Sequence, residues 1–130
     1  MIPKFRFYSK RMNKIGIVIS LHPLRKRVYV EWDDTLSGTE DIDDNGVLMQ
    51  STGLFDNSTP KKEIFESDIV EWEHKDTGQL VRGIVKYDTE LGFWGMTDVR
   101  FNDLTPIGYL ANQRVTVLGN IYQNKELMEE

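Results

Sequence analysis

Residues 48–73 of this chain, LMQSTGLFDNSTPKKEIFESDIVEWE, join two apolar segments through a polar turn. The middle of the stretch, DNSTP, has the residues that turns favour, whereas both flanks carry apolar side chains that need a core. Ile64 and Phe65 would seat the chain against that core, and the side chain of Asp68 or Ser67 would then accept backbone N–H groups in a turn. Such a junction sets the register of the adjoining strands. We therefore expect Asp68→Ala to lower thermal stability.

A second interpretation gives the same junction a role in recognition. Glu63, Glu66 and Asp68 would then form an acidic patch on the surface. The mixture of apolar anchors and turn-forming residues favours the structural interpretation, because that mixture is typical of a junction that sets strand register.

The apolar pattern on both sides of the junction alternates with period two, which predicts strands. Upstream, the pattern predicts a three-strand meander at 5–8 (FRFY), 15–21 (IGIVISL) and 28–32 (VYVEW). Downstream, it predicts strands at 68–73 (DIVEWE), 80–87 (LVRGIVKY), 93–96 (FWGM) and 115–122 (VTVLGNIY). Gly119 is expected to mark a β-bulge, and Asn124 is a candidate cap for a short C-terminal helical turn, KELMEE.

These short strands predict a mainly β fold, with antiparallel strands in a partly open barrel or packed sheets. We expect a single small domain over 1–130, with N-terminal strands at about 4–32, an acidic loop at about 33–46 and a C-terminal β region at about 64–122. The meander DIVEW, GIV, GFW suggests an SH3-like element. The three tryptophans lie in predicted strands and are expected in the core, at Trp32, Trp72 and Trp94.

Composition excludes several classes of protein. With 130 residues, 39% of them hydrophobic, the chain is long enough to bury a core. It has no Cys, which excludes disulfides and Cys-ligated zinc. No window is apolar enough to span a membrane, and the apolar run at 15–21 is broken by Gly16 and Ser20 and leads to no cleavage site. We expect a cytoplasmic protein without a membrane partner.

The charge is unevenly distributed. Residues 1–30 carry eight Lys or Arg and no acid, whereas the remainder carries eight basic residues against 21 acidic ones. One hypothesis is that this basic third binds nucleic acid, with Phe5, Phe7 or Tyr8 stacking on bases. Its candidate contacts are Arg6, Lys10, Arg11, Arg25, Lys26 and Arg27. The alternative, favoured by the net charge of −5, is that basic strands pair with acidic ones.

Candidate catalytic and metal-binding residues are few. His22 and His74 lie at predicted strand ends beside turns, where a histidine is usually solvated. DIDDNG at 41–46 resembles the start of a calcium loop, but Thr52 occupies the position where such a loop needs a bidentate Glu. We expect a solvated acidic turn, no cofactor, no metal and no enzymatic activity.

The chain resembles the YopX protein family of phages and prophages. The resemblance is carried in order by 48–54 (LMQSTGL), 62–70 (KEIFESDIV), 83–85 (GIV) and 117–127 (VLGNIYQNKEL), and the opening IPKFR at 2–6 is also similar. In the family the corresponding motifs are LMQxTGL, KEIYEGDIV, GVV and VIGNIYENPEL. The motif positions to which we assign structural roles are Gly53, Glu63, Ile64, Asp68, Val70, Gly119, Asn120 and Tyr122.

This chain departs from the family pattern at three places. Ser67 replaces a Gly, so we do not expect a left-handed backbone there. Lys125 replaces a Pro, and the turn at 55–61 is longer than the usual DKNG. The resemblance implies a phage- or prophage-encoded protein of mainly β structure, and it implies no particular reaction.

Two functional hypotheses remain open after the sequence. The first is a non-enzymatic accessory protein that binds an unidentified host or phage protein. The alternative is a nucleic-acid-binding module that uses the basic third. Exposed strand edges also allow a homo-oligomer.

Overall fold

Strands form most of the protein in the computed structural model, which describes residues 4–74, 76–98, 104–107 and 114–129. The strands are β1 (Phe5–Ser9), β2 (Lys14–His22), β3 (Arg27–Glu31), β4 (Ser37–Asp41), β5 (Gly46–Phe55), β6 (Glu63–Phe65), β7 (Asp68–Glu73), β8 (Leu80–Asp88), β9 (Phe93–Asp98), β10 (Leu104–Pro106) and β11 (Val115–Asn120). A 3-10 helix, Lys125–Met128, follows the last strand. The prediction of a mainly β fold with a C-terminal helical turn is confirmed.

Both sheets are antiparallel, and the described strands do not close into a barrel. The chain divides into two compact units, Met1–Ser51 and Thr52–Glu130. The single domain over 1–130 and its SH3-like element stay predictions. No helix among the described residues is long and apolar enough to cross a membrane.

The N-terminal unit is a curled sheet with strand order β4-β3-β2-β1-β5. Only residues 42–45 connect β4 to β5, although three strands separate them in the sheet. The sheet must therefore curl until the end of β4 approaches the start of β5. Its concave face holds the core residues Phe7, Val28 and Val30, against which Val18, Leu21, Trp32, Ile42 and Leu48 pack.

The C-terminal unit contains the sheet β10-β9-β8-β7-β11, together with β6 and the end of β5 from Thr52 onwards. Its core consists of Ile64, Val70, Trp72, Val81, Val85, Met96, Ile107, Val115 and Val117, with Trp94 packed against it. All three tryptophans thus contribute to cores, as expected. The pairing of β11 with β7 shifts register between Val117 and Gly119, which confirms the predicted bulge.

Three details of the predicted secondary structure are wrong. The acidic loop at 33–46 contains strand β4, because pairing with β3 holds a sequence, SGTED, that has little strand propensity of its own. Residues 46–55 form strand β5, which the sequence did not predict. The last strand ends at Asn120 instead of 122, because the Asn120 side chain accepts the N–H groups of Tyr122 and Gln123 and turns the chain.

Candidate binding surface

Three large apolar side chains are exposed together on the convex face of the N-terminal sheet, and we call them the exposed patch: Ile17, Ile19 and Tyr29. Their exposed fractions are 55%, 57% and 41%. Val18, between the two isoleucines, packs into the core, so alternation directs its neighbours outward. The register shift between Val18 and Ser20 keeps Ile19 on this outer side.

Strand β4 lies beside this patch, at the edge of the sheet. Two hydrogen bonds of 2.8 Å frame its pairing with β3, from Ile42 N–H to Lys26 O and from Trp32 N–H to Leu36 O. Because hydrogen-bonded pairs alternate in an antiparallel ladder, Gly38 and Glu40 also bond to β3. The main-chain groups of Ser37 and Thr39 therefore point away from the sheet.

Two of the predicted nucleic-acid contacts are engaged by carboxylates of β4. Arg27 Nε donates to Asp41 Oδ1 at 3.0 Å, and Arg11 Nη2 lies 3.5 Å from Glu40 Oε1. The pairing of basic and acidic strands that the sequence suggested is thus observed for these four residues. It lowers the positive charge that the basic third presents.

The remaining candidate cations are spread over the N-terminal unit. Arg25 and Lys26 are exposed in the turn between β2 and β3, beside a fully exposed Leu24. Lys10 is exposed in the preceding turn, and Arg6 is half-buried in β1. The structure thus leaves a small basic cluster at one hairpin and does not gather all six cations.

The proposed stacking role of Phe7 and Tyr8 is wrong. Phe7 is 1% exposed and packs edge-to-face with Trp32, with ring centroids 6.2 Å apart. Tyr8 is also buried, and its hydroxyl donates to Asn13 Oδ1 at 2.8 Å. A base can stack only on an exposed ring face, so only the half-buried Phe5 is left of the three.

Carboxylates dominate the surroundings of β4. Residues 28–60 contain eight carboxylates and no Lys or Arg, and seven of the eight lie within 31–44. Hydrogen bonds from Thr35, and from the Leu36 N–H group, hold the pKa of Asp33 below its usual 3.8. This carboxylate therefore stays charged at neutral pH, at the turn that leads into β4.

A recess of about 140 Å³ lies on the concave side of the same unit. Its lining comprises Phe7, Ser9, Arg11, Glu40, Asp41, Asp43, Asn45 and Gly46. Asp43 Oδ1 accepts the Asn45 N–H group at 2.8 Å, which is the geometry of a turn. Among the described residues, no group of three or more His, Asp or Glu could hold a metal ion.

The two histidines are exposed strand-end residues. His22 ends β2, and His74 follows β7, where its Nδ1 accepts the Asp76 N–H group. Lys75 lies outside the described residues.

The junction in the C-terminal unit has the predicted construction. Asp68 is 1% exposed, and its Oδ2 accepts the Phe65 N–H group at 2.8 Å. Ile64 is buried, and its carbonyl accepts the Thr52 hydroxyl at 2.8 Å. Val70 is fully buried in the core of the unit. Burial of Asp68 removes it from any acidic recognition patch.

Two further motif positions lie at backbone turns and strand starts. Gly53 has a φ of 80°, which a side chain would disfavour, and Glu63 begins β6. Ser67 has a φ of 71°, so the expectation that Ser would prevent a left-handed backbone is wrong. Hydrogen bonds from Ser67 N–H to Val85 O and from Ile121 N–H to Ser67 O hold this turn.

The C-terminal motif is organised around Asn120. Its Oδ1 accepts from Tyr122 and Gln123, and its own N–H donates to Asn124 Oδ1 at 3.1 Å. Asn124 is the N-cap residue of the 3-10 helix, as the sequence suggested, but its side chain makes no capping hydrogen bond. It covers Gly119 instead, where an added Cβ would collide with the Asn124 amide.

Asp56 is the residue whose importance the sequence did not reveal. Its carboxylate is 1% exposed and accepts four hydrogen bonds, from the Ser58 N–H and hydroxyl, Lys62 N–H and Val117 N–H. Burial raises its pKa, but the bonds from Lys62, Ser58 and Val117 outweigh burial and lower it below 3.8. The DNS sequence signals the local turn, but nothing local signals Val117.

One comparison with known proteins identifies the family. The family model described as YopX protein matches residues 4–129, nearly the whole chain. Among solved structures, the chain is similar to protein EF1440 from Enterococcus faecalis, with 26% sequence identity, a TM-score of 0.63 and 99% of each chain covered. No curated protein matches. Since the family model extends over nearly all of the sequence, the chain belongs to the YopX protein family.

Proposed function

We propose that this protein is a non-enzymatic accessory protein, encoded by a phage or prophage, that acts in the host cytoplasm by binding another protein. The observation that carries the proposal is the exposed patch, Ile17, Ile19 and Tyr29. Adjacent apolar side chains left open to solvent on a sheet face are typical of protein-binding surfaces. The adjoining edge strand β4 adds main-chain donors and acceptors to the same surface.

The ion pairs support this function over nucleic-acid binding. Arg11 and Arg27 neutralise Glu40 and Asp41, so they are not free to meet phosphates without breaking those pairs. The acidic segment 31–44 surrounds the same sheet edge and repels a polyanion.

Nucleic-acid binding is the second candidate function. The observation that favours it is the exposed turn between β2 and β3, where Arg25 and Lys26 stand beside Leu24. This turn is the one place in the described N-terminal unit where adjacent cations are exposed without an ion pair to Asp or Glu.

A tagged pull-down from phage-infected host lysate, with and without nuclease, tests the proposed function. We expect a specific protein that survives nuclease treatment and is retained by the double variant Arg25→Glu/Lys26→Glu. Recovery of nucleic acid that the double variant abolishes, and that falls steeply with salt, would overturn the proposal in favour of the second candidate.

A further inference from the structure

We infer that the edge of β4 takes a basic, extended segment of the partner as an added strand; the inference rests on the proposed function and names the partner's chemistry. The outward main-chain groups of Ser37 and Thr39 provide donors and acceptors for such a strand. Ser37 and Thr39 are exposed, so this part of the edge is open to solvent, whereas the Asp41 carbonyl lies against Gly46.

The negative charge around β4 favours a basic partner segment. Seven carboxylates lie within 31–44, and only Arg11 and Arg27 offset them through ion pairs among the described residues. Like charges on neighbouring strands are destabilising, so an acidic strand is rejected. A strand that carries Lys or Arg is attracted instead by the five carboxylates of this segment that the two arginines do not pair with, Glu31, Asp33, Asp34, Asp43 and Asp44.

The edge also leaves room for a large partner side chain. A Cβ built on Gly38 meets no atom within 4 Å, so the space above this residue is open. A bulky apolar side chain opposite Gly38 therefore fits without a clash. The expected segment has an apolar residue flanked by basic ones, in an extended conformation.

The probe is the labelled peptide acetyl-KTVKFTVK-amide, and its binding to the full chain is followed by fluorescence anisotropy at physiological ionic strength. One control peptide has Glu in place of every Lys. A second keeps all charges but carries N-methyl groups on alternate amides, which removes the hydrogen bonds of an added strand. We expect the parent peptide to bind at least about tenfold more tightly than either control.

The protein variant that matches this test is Thr39→Pro. Proline removes the outward N–H group of Thr39 and leaves the bonds of Gly38 and Glu40 to β3, a substitution that edge strands tolerate. We expect this variant to bind the parent peptide about tenfold more weakly than the wild type does. Equal binding of the N-methylated peptide, or no saturable binding of the parent peptide, would overturn the inference even if Thr39→Pro failed to fold.

The same variant separates this inference from the proposed function in the lysate pull-down. Loss of the partner from both Thr39→Pro and Ile19→Arg supports the inference. Loss from Ile19→Arg alone leaves the proposed function standing and overturns the added strand. Retention by both variants overturns the inference and the proposed function together.

Discussion

Asp56 shows how one buried carboxylate can fix a long polar connection. It accepts N–H groups from residues two, six and 61 positions away, so it ties the turn after β5 to strand β11. A buried N–H group that loses its acceptor costs about 1 to 3 kcal/mol. The turn therefore depends more on this side chain than on its own turn-forming sequence.

The substitution Asp56→Ala should lower the free energy of unfolding by about 3 kcal/mol, because it leaves the Lys62 and Val117 N–H groups without an acceptor. Urea denaturation measures the change. Glu90→Ala, at an exposed carboxylate of the same unit, is the control and should be nearly neutral. An unchanged urea midpoint for Asp56→Ala would contradict this role.

Lowering the pH should weaken the same hydrogen bonds, because it protonates the Asp56 carboxylate. The pKa of Asp56 in the folded protein lies below the ordinary 3.8. The stability it contributes is therefore fully present above about pH 4 and is lost as pH falls through the lower, folded-state pKa. We expect the wild type to lose more stability between pH 5 and pH 2 than Asp56→Asn, measured by thermal melts. Equal losses of stability in the wild type and in Asp56→Asn would contradict a lowered pKa of Asp56.

Asp68 is the residue whose role the sequence did foresee. It precedes an alternating strand and follows two apolar anchors, and it accepts the Phe65 N–H group as expected. We keep the prediction that Asp68→Ala lowers the melting temperature, with a cost of about 1 to 3 kcal/mol. Asp76→Ala, at an exposed carboxylate, is the matched control. An unchanged melting temperature of Asp68→Ala would contradict the stabilising role of Asp68 at the junction.

At the scale of elements, alternation predicted the strands that have strong patterns and missed those that depend on neighbours. DIVEWE and LVRGIVKY alternate clearly and form β7 and β8. SGTED does not alternate. It forms a strand because all five of its residues pair with β3. The sequence therefore does not reveal the edge strand of the candidate surface, although it shows the basic residues that pair with it.

The turn between β6 and β7 allows a stabilising prediction. Ser67 has a φ of 71°, where a residue with a Cβ pays a penalty of about 1 kcal/mol and glycine does not. Ser67→Gly, which restores the family's usual residue, should raise the free energy of unfolding by up to about 1 kcal/mol. Ser67→Ala keeps the penalty and should be near neutral. A lower melting temperature for Ser67→Gly would contradict the strained turn.

At the scale of the whole molecule, opposite charges are separated along the sequence and partly reunited in the N-terminal unit. The basic first 30 residues meet the acidic segment that follows them through Arg11–Glu40 and Arg27–Asp41. The net charge distribution was readable from the sequence, but which cations remain available was not, because that depends on the register of β3 and β4. The exposed patch was equally hidden, since the apolar run at 15–21 does not show which of its side chains stay exposed.

The measurement that tests the central claim most directly is quantitative capture of the protein partner by variants of the exposed patch, after nuclease treatment. Ile19→Arg places a charge in the patch, and Leu91→Arg places one at another exposed leucine, 72% open to solvent, outside it. We expect Ile19→Arg to lose the partner while Leu91→Arg retains it, with both variants folded by circular dichroism. Retention by Ile19→Arg, or equal loss from both, would contradict binding through this face.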